Sequence, residues 1–474
     1  MNSAVLDWDA TELSAKIMSG EVSSLEATET YIQHLKHINP QLNGLVEDRF
    51  EAARQEAMLC DSLYKEGKAK GKLFGVPISV KESFHIKGMK TTGGLIHRIH
   101  QIEQIDAYIV RRLKEEGAII LGKSNTPTLC FCQESENKLY GRTNNPWDLS
   151  RTAGGSSGGE AALIGAGGAA VGVGSDIGGS IRFPSHFNGV IGFKSGNSQV
   201  SQEGHFPFVT HPLQESMLGI GAIAKSVQDA KLINDIITYH PLPDCHLTHF
   251  EICIPDIPSI PLGEDTQHLL QRISIDLQKD FSVKKSFPFD LKQIMSIDAG
   301  KGIADLAFEK DGSRFVREYV KEVLFGSSAY HRYLTWALIG ASLFKPSKKQ
   351  GEKVTAAVLE MHKRSEEELK NQIVVLPVYH RGAPHHGKLY KEIFSIQKSF
   401  LKYMPYTAFA NVLGLPSLTI PVGEDRFHMP IGVQLISKVG NEKALFDLGR
   451  IIERKYRGYI RCATYDCKNG GSQN

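Results

Sequence analysis

No apolar run in the 474 residues approaches the ~18 that a membrane-spanning helix needs. The first ten residues carry Asp7 and Asp9 and do not read as a secretory signal, so the expected compartment is the cytoplasm. An excess of charge is missing as well. The 55 basic and 52 acidic residues leave a formal net charge of +3, which gives no electrostatic footprint for nucleic acid. The seven cysteines are scattered; only Cys130 and Cys132 are near neighbours, and they form no CxxC motif. Reduced, unpaired thiols are therefore expected. No Pro/Ser/Gly-rich tract divides the chain and no repeat recurs. Residues 1–474 are expected to form one α/β domain with a large buried core.

What is present is concentrated in three short segments. Ser180 lies in the run S-D-I-G-G-S-I-R-F-P from Ser175 to Pro184, and Ser156 in A-G-G-S-S-G-G from Ala153 to Gly159. Lys81 ends G-V-P-I-S-V-K, which begins at Gly75. A serine hydroxyl is a weak nucleophile at neutral pH and needs an adjacent base. Neither serine loop contains a histidine. A lysine can serve if desolvation lowers its pKa, and the apolar lead-in of Val76, Ile78 and Val80 favours burial of Lys81. Gly178 and Gly179 directly precede Ser180. Successive amides aimed at one point often require positive φ, which glycine allows freely, although an isolated G-G-S also fits an ordinary tight turn. Asp176 and Arg182, flanking that turn, read either as a surface ion pair or as a brace for it.

Together these segments resemble the amidase signature family, from about Leu13 to about Tyr456. The resemblance implies the amidase signature fold, a large mixed central sheet covered by helices on both faces. It makes Lys81 the general base, Ser156 a bridging serine on a cis peptide, and Ser180 the acylated nucleophile. It assigns the oxyanion hole to the backbone amides of Ile177, Gly178, Gly179 and Ser180. Asp176 and Arg182 become bracing groups. No cofactor and no metal are implied. The expected reaction is hydrolysis of an amide to acid and amine through an acyl-enzyme. Within the family, the stretches Glu134–Asp148, Phe187–Lys194 and Leu376–His386 resemble the fatty acid amide hydrolases, in particular the type 2 group. This points to a small-molecule or lipid amide as substrate, and leaves room for peripheral membrane contact and for a homodimer. Lys194–Ser198 departs from the pattern, lacking a proline after the lysine. Residues 240–350 match poorly and are expected to form a variable substrate-binding region. Within them Tyr330–Phe344 is apolar. It reads as a buried helix, as one wall of an acyl channel, or as a surface that rests on a membrane.

Rival readings use some of the same residues. Gly117–Ser124 (G-A-I-I-L-G-K-S) formally matches a phosphate-binding loop, but Ala118–Leu121 is strand-like and Pro127 stands where the helix should begin. Gly154–Gly158 fits the G-x-S-x-G nucleophile elbow, yet the residues before it are turn-rich. His380, His385 and His386 invite a metal reading, without a carboxylate or cysteine to join them. The glutaminase subunit of a tRNA-dependent amidotransferase would share the triad, but Tyr403–Pro416 has no acidic residue to hold an amino group. A binding protein without activity is disfavoured by retention of all three triad residues. Around these motifs, helices are expected over Thr11–Ile38 (two), Phe50–Tyr64, Asp106–Glu116 and Asn441–Tyr456. Strands are expected at Gly75–Lys81, Gln372–Pro377 and Ser417–Val422.

Overall fold

The computed structural model describes residues 3–294, 312–326, 328, 330–343, 348–393 and 404–466. Its centre is an 11-stranded mixed sheet. The strands follow the order Leu45–Asp48, Ile119–Ser124, Pro77–Lys81, Val171–Asp176, Gly219–Ala224, Ile191–Lys194, Ser417–Glu424, Pro430–Ile436, Gln372–Pro377, Glu251–Cys253 and Val283–Lys284. Pro77–Lys81 is flanked by parallel neighbours on both sides. Every residue of Pro77–Lys81, Ile119–Ser124 and Val171–Asp176 is buried. That is why these runs are continuously apolar or small instead of alternating. The amides of Ile119–Ser124 pair within the sheet, and the phosphate-loop reading of Gly117–Ser124 falls with them.

The expected helices form close to their expected bounds, at Ala10–Ser19, Ser24–Leu42, Phe50–Lys65, Tyr108–Glu115 and Glu442–Lys455. Ser23 caps the second of these by accepting from the Glu26 amide at 3.0 Å, as the S-S-L-E pattern predicts. Gly158–Ala166 is a helix buried on every side. Its small residues let it lie against neighbouring backbone: a Cβ on Gly159 would stand 2.4 Å from the Asn125 amide nitrogen. The helix therefore sits tightly over the sheet and holds the loop that precedes it. Arg332–Leu343 is helical, with Tyr333 and Leu334 buried; Phe344 lies outside the described residues. Among the described residues no helix is long and apolar enough to cross a membrane.

Candidate active site

Lys81 is the last residue of a fully buried strand, and its side chain is completely enclosed. Its Nζ lies 2.6 Å from Ser156 Oγ and 3.0 Å from Ser175 Oγ. Burial pushes the ammonium pKa below the ordinary value of 10.5, against opposing pulls from Cys130, Asp176 and Glu160. The neutral amine that a base requires is thereby favoured. Ser156 follows a cis peptide with Gly155. The two serine loops are joined directly, because the Ser157 amide donates to the Ser180 carbonyl at 3.1 Å. Ser135 Oγ adds a clamp, donating to the Ser156 carbonyl at 3.4 Å and accepting from the Gly158 amide at 3.0 Å.

Ser180 sits in the turn between the strand Val171–Asp176 and the helix Arg182–Asn188, and is 4% exposed. The turn is organised from inside by Asp176. Its carboxylate accepts from the Gly179 amide at 2.8 Å and the Ile181 amide at 3.0 Å. Burial alone would raise the Asp176 pKa; the charge and hydrogen bonds of Arg182 outweigh it and hold the carboxyl well below the usual range. Asp176 and Arg182 are both 0% exposed. The sequence left a surface pair open for them, and burial removes that reading. Gly179 has φ +93°, and its amide is committed to Asp176, so it is not free for the oxyanion hole to which the resemblance assigned it. Among the described residues nothing accepts from the amides of Ile177, Gly178 or Ser180. Gly178 is anchored through its carbonyl, which accepts from Gln133 Nε2 at 3.1 Å.

The elbow reading of Ser156 does not match this geometry. The strand before it, Asp148–Thr152, lies outside the central sheet, pairing with Asn144–Asn145 in a separate two-stranded sheet and bridging His385 through Arg151. The histidine loop braces that hairpin. The Thr152 amide donates to the Pro384 carbonyl at 3.0 Å, and His386 Nε2 lies 3.0 Å from the Leu149 carbonyl. Among the described residues no group of three His, Cys, Asp or Glu converges on a point that could hold a metal ion.

The family described as Amidase matches residues 26–251 and 318–446, most of the chain. The chain belongs to the amidase family. Fatty-acid amide hydrolase 2-B from Danio rerio is 34% identical, over 96% of this chain and 91% of its own length. A glutamyl-tRNA(Gln) amidotransferase subunit from Caldanaerobacter subterraneus subsp. tengcongensis is 28% identical, over 94% of this chain and 96% of its own length. A crystal structure of an amidase superposes with a TM-score of 0.78 at 26% identity, covering 95% of this chain and all of the other. This protein is thus an amide-hydrolysing enzyme with the amidase signature fold.

Several residues of the amidase's site were not singled out in the sequence. Thr407, Asn411 and Gln434 meet Arg182 from the distant C-terminal third. Ser175 touches Lys81, and His205 lies 2.9 Å behind Ser175. Ser175 opens the S-D-I-G-G-S run and could have been considered from that position. His205 stands in G-H-F-P, a stretch without any motif.

Proposed function

We propose that this amidase hydrolyses amides of apolar acyl groups, fatty acyl amides among them, through a Ser–Ser–Lys relay. The observation that carries the reading is the enclosed Lys81 amine, 2.6 Å from Ser156 Oγ in a loop bonded to the Ser180 carbonyl. Neutral Lys81 takes the Ser156 proton as Ser156 takes that of Ser180, and Ser180 Oγ attacks the amide carbonyl. The amides of Ile177, Gly178 and Ser180, which have no acceptor among the described residues, are assigned to the developing oxyanion. Gly179 shapes the turn through its positive φ and its bond to Asp176. The relay then returns the proton to the leaving nitrogen, and water releases the acid.

Three features support an apolar acyl group. The relative from Danio rerio bears the name of a fatty-acid amide hydrolase. The helix Pro405–Val412 is wholly buried, and Thr407 lies against Gly179, so an apolar segment without a carboxylate backs the catalytic turn. Tyr333 and Leu334 pack with Phe131, Cys132 and Tyr390, next in sequence to the Gln133 that anchors Gly178. This favours the channel-wall reading of Tyr330–Phe344. Val316, Val320, Val323, Leu324, Phe325 and Trp336 are exposed on two successive helices, which supports contact with a membrane surface.

The test is a hydrolysis panel of short amides, long-chain acyl amides and glutamine, with a fluorophosphonate probe mapped by peptide mass spectrometry. The expected label is on Ser180, Ser180→Ala is expected to lose activity by several orders of magnitude, and efficiency is expected to climb with acyl length at about 0.8 kcal/mol per buried methylene. Ammonia release from glutamine with a flat chain-length trend would shift the assignment to the glutaminase component of an amidotransferase. Label on Ser156 would overturn the relay.

A further inference from the structure

We infer that His205 is a positioning residue that aims the lone pair of Lys81 at Ser156, acting through the hydroxyl of Ser175; the inference rests on Lys81 being the base. His205 is 5% exposed, with its ring edge-on to Phe84 at 5.0 Å between centroids. Its Nδ1 lies 3.0 Å from the Pro207 carbonyl and its Nε2 lies 2.9 Å from Ser175 Oγ. A carbonyl can only accept, so Nδ1 carries the proton. Burial and the neighbouring Lys81 lower the ring's pKa to about 3, so the ring is neutral and Nε2 is an acceptor. The Ser175 hydroxyl must then donate to His205.

That polarity is passed to Lys81. Its Nζ has three oxygen neighbours: Ser156 Oγ at 2.6 Å, Ser175 Oγ at 3.0 Å and the Ser175 carbonyl at 3.4 Å. A neutral amine has two N–H bonds and one lone pair. The Ser175 carbonyl has no proton to give, and the Ser175 hydroxyl proton is turned away to His205. Both oxygens of Ser175 therefore draw N–H bonds. Among these oxygens the lone pair is left for the one able to donate, Ser156 O–H, which is the proton the base must take; the Cys130 thiol, which also hydrogen-bonds Lys81, is only a weak donor and has Thr126 Oγ1 at 3.3 Å as a second partner. Without an acceptor at His205, the Ser175 hydroxyl is free to rotate and donate to Lys81 instead. It would then occupy the lone pair and compete with Ser156. The charged groups facing Lys81 are Asp176 and Glu160, beside the Cys130 thiol, and those facing His205 are Lys81 and His85; apart from the Lys81 amine itself, none of them is hydrogen-bonded to Ser175 Oγ.

The test compares His205→Phe, His205→Asn and His205→Gln in the full chain, each alone and combined with Ser175→Ala. Phe keeps the ring without an acceptor, Asn keeps a donor near Pro207 without reach to Ser175, and Gln can supply both groups. Phe and Asn are expected to lower kcat roughly 10- to 100-fold, within the range of general-base assistance, with little change in KM. The ascending pH limb should move to lower pH, because a hydroxyl donated to the neutral amine stabilises it. Gln should restore most of the rate. In the Ser175→Ala background, where no hydroxyl remains to misdirect, the same His205 substitutions should change kcat less than about twofold. Equal losses with and without Ser175, or an unmoved pH limb, would overturn the inference and leave His205 a packing residue. Should the His205→Phe protein fail to fold, as read by thermal melting, the Asn and Gln pair decides the same question. Lys81→Ala run in parallel separates the two layers. If it retains the wild-type pH limb, the relay itself is wrong; if it abolishes activity while the His205 variants remain wild-type, only the positioning role fails.

Discussion

Removing both members of the buried Asp176–Arg182 pair should cost several kcal/mol less than the sum of the two single removals. Both side chains are 0% exposed and joined at 3.0 Å through two parallel bonds, Nε to Oδ2 and Nη2 to Oδ1. Arg182→Met leaves the Asp176 carboxylate enclosed without its cation; Asp176→Asn leaves the guanidinium without its anion. Breaking a buried pair from one side costs about 3–5 kcal/mol. In the double variant neither charge of the pair remains, although the buried Lys194 still faces the site. What is lost there is the set of hydrogen bonds to Thr407, Gln434 and Asn411, each about 1 kcal/mol. The double variant should thus lie near ~3 kcal/mol, several kcal/mol short of the sum of the singles. Guanidinium unfolding of the four proteins at pH 7 measures this. A pH dependence adds a second check. The wild-type pKa of Asp176 is depressed, so the pair's stabilisation is fully present above the unfolded carboxylate range and is lost as pH falls from there through the lower folded value. In Arg182→Met the carboxyl pKa rises, the acid becomes neutral sooner, and the penalty shrinks on acidification. Because Asp176 also accepts from the Gly179 and Ile181 amides, fluorophosphonate labelling of Ser180 should slow in every variant. Additive losses within about 0.5 kcal/mol, or single losses below about 1 kcal/mol, would refute the account of the pair as the brace of the Ser180 turn.

Lys81→Ala should abolish the ascending pH limb, which in the wild type should lie below the ordinary lysine value of 10.5, since activity requires the neutral amine and rises as pH passes its depressed pKa. A limb unchanged by the substitution would exclude Lys81 as the base. Gly179→Ala should lose about 1–2 kcal/mol from positive φ alone, and more from the Phe183 ring, whose Cδ2 would stand 2.5 Å from the new Cβ. Gly178→Ala, whose Cβ would meet only Gln133 Nε2 at 3.7 Å, should stay within about 0.5 kcal/mol of wild type. Thermal melting compares the two. Stability should also fall on acidification. The His205 pKa is lowered to about 3 by burial, so the folded ring stays neutral while the unfolded chain takes up protons near 6.5. The stabilisation is full above 6.5 and is lost as pH drops toward 3, up to about 2 kcal/mol at pH 5 from this residue. Unfolding measured at pH 7.5 and pH 5, with and without His205→Asn, should show a smaller pH slope in the variant.

The two serines and the lysine of the proposed relay were legible because each sits in a short run whose composition is dictated locally. The strand before Lys81 must be apolar to be buried on both faces, and the turn before Ser180 needs glycine at φ +93°. The extent of most strands and helices was legible for the same reason, as local periodicity and caps. Tyr330–Phe344 was not decided by its composition. An apolar helix can face a core, a channel or a membrane, and composition does not choose among them; the stacking of Tyr333 on Tyr390, at 4.9 Å between centroids, depends on a partner nearly sixty residues away.

The supports of the site were hidden by distance along the chain, yet one of them was countable in principle. A guanidinium has five N–H donors, and when fully buried each needs an acceptor. Arg182 is the largest fully buried side chain among the described residues. Asp176, six residues away, accepts two of the five. The other three go to the Thr407 carbonyl, Gln434 Oε1 and Asn411 Oδ1, more than two hundred residues downstream. The census closes at five donors and five acceptors. Burial of Arg182 with every donor satisfied therefore requires the helix Pro405–Val412 and the strand Pro430–Ile436 to be docked against the Ser180 turn. The motif carries the chemistry, but the geometry that makes Ser180 usable is assembled from both ends of the fold. A local reading of S-D-I-G-G-S-I-R supplies the donors and only two of the acceptors they need.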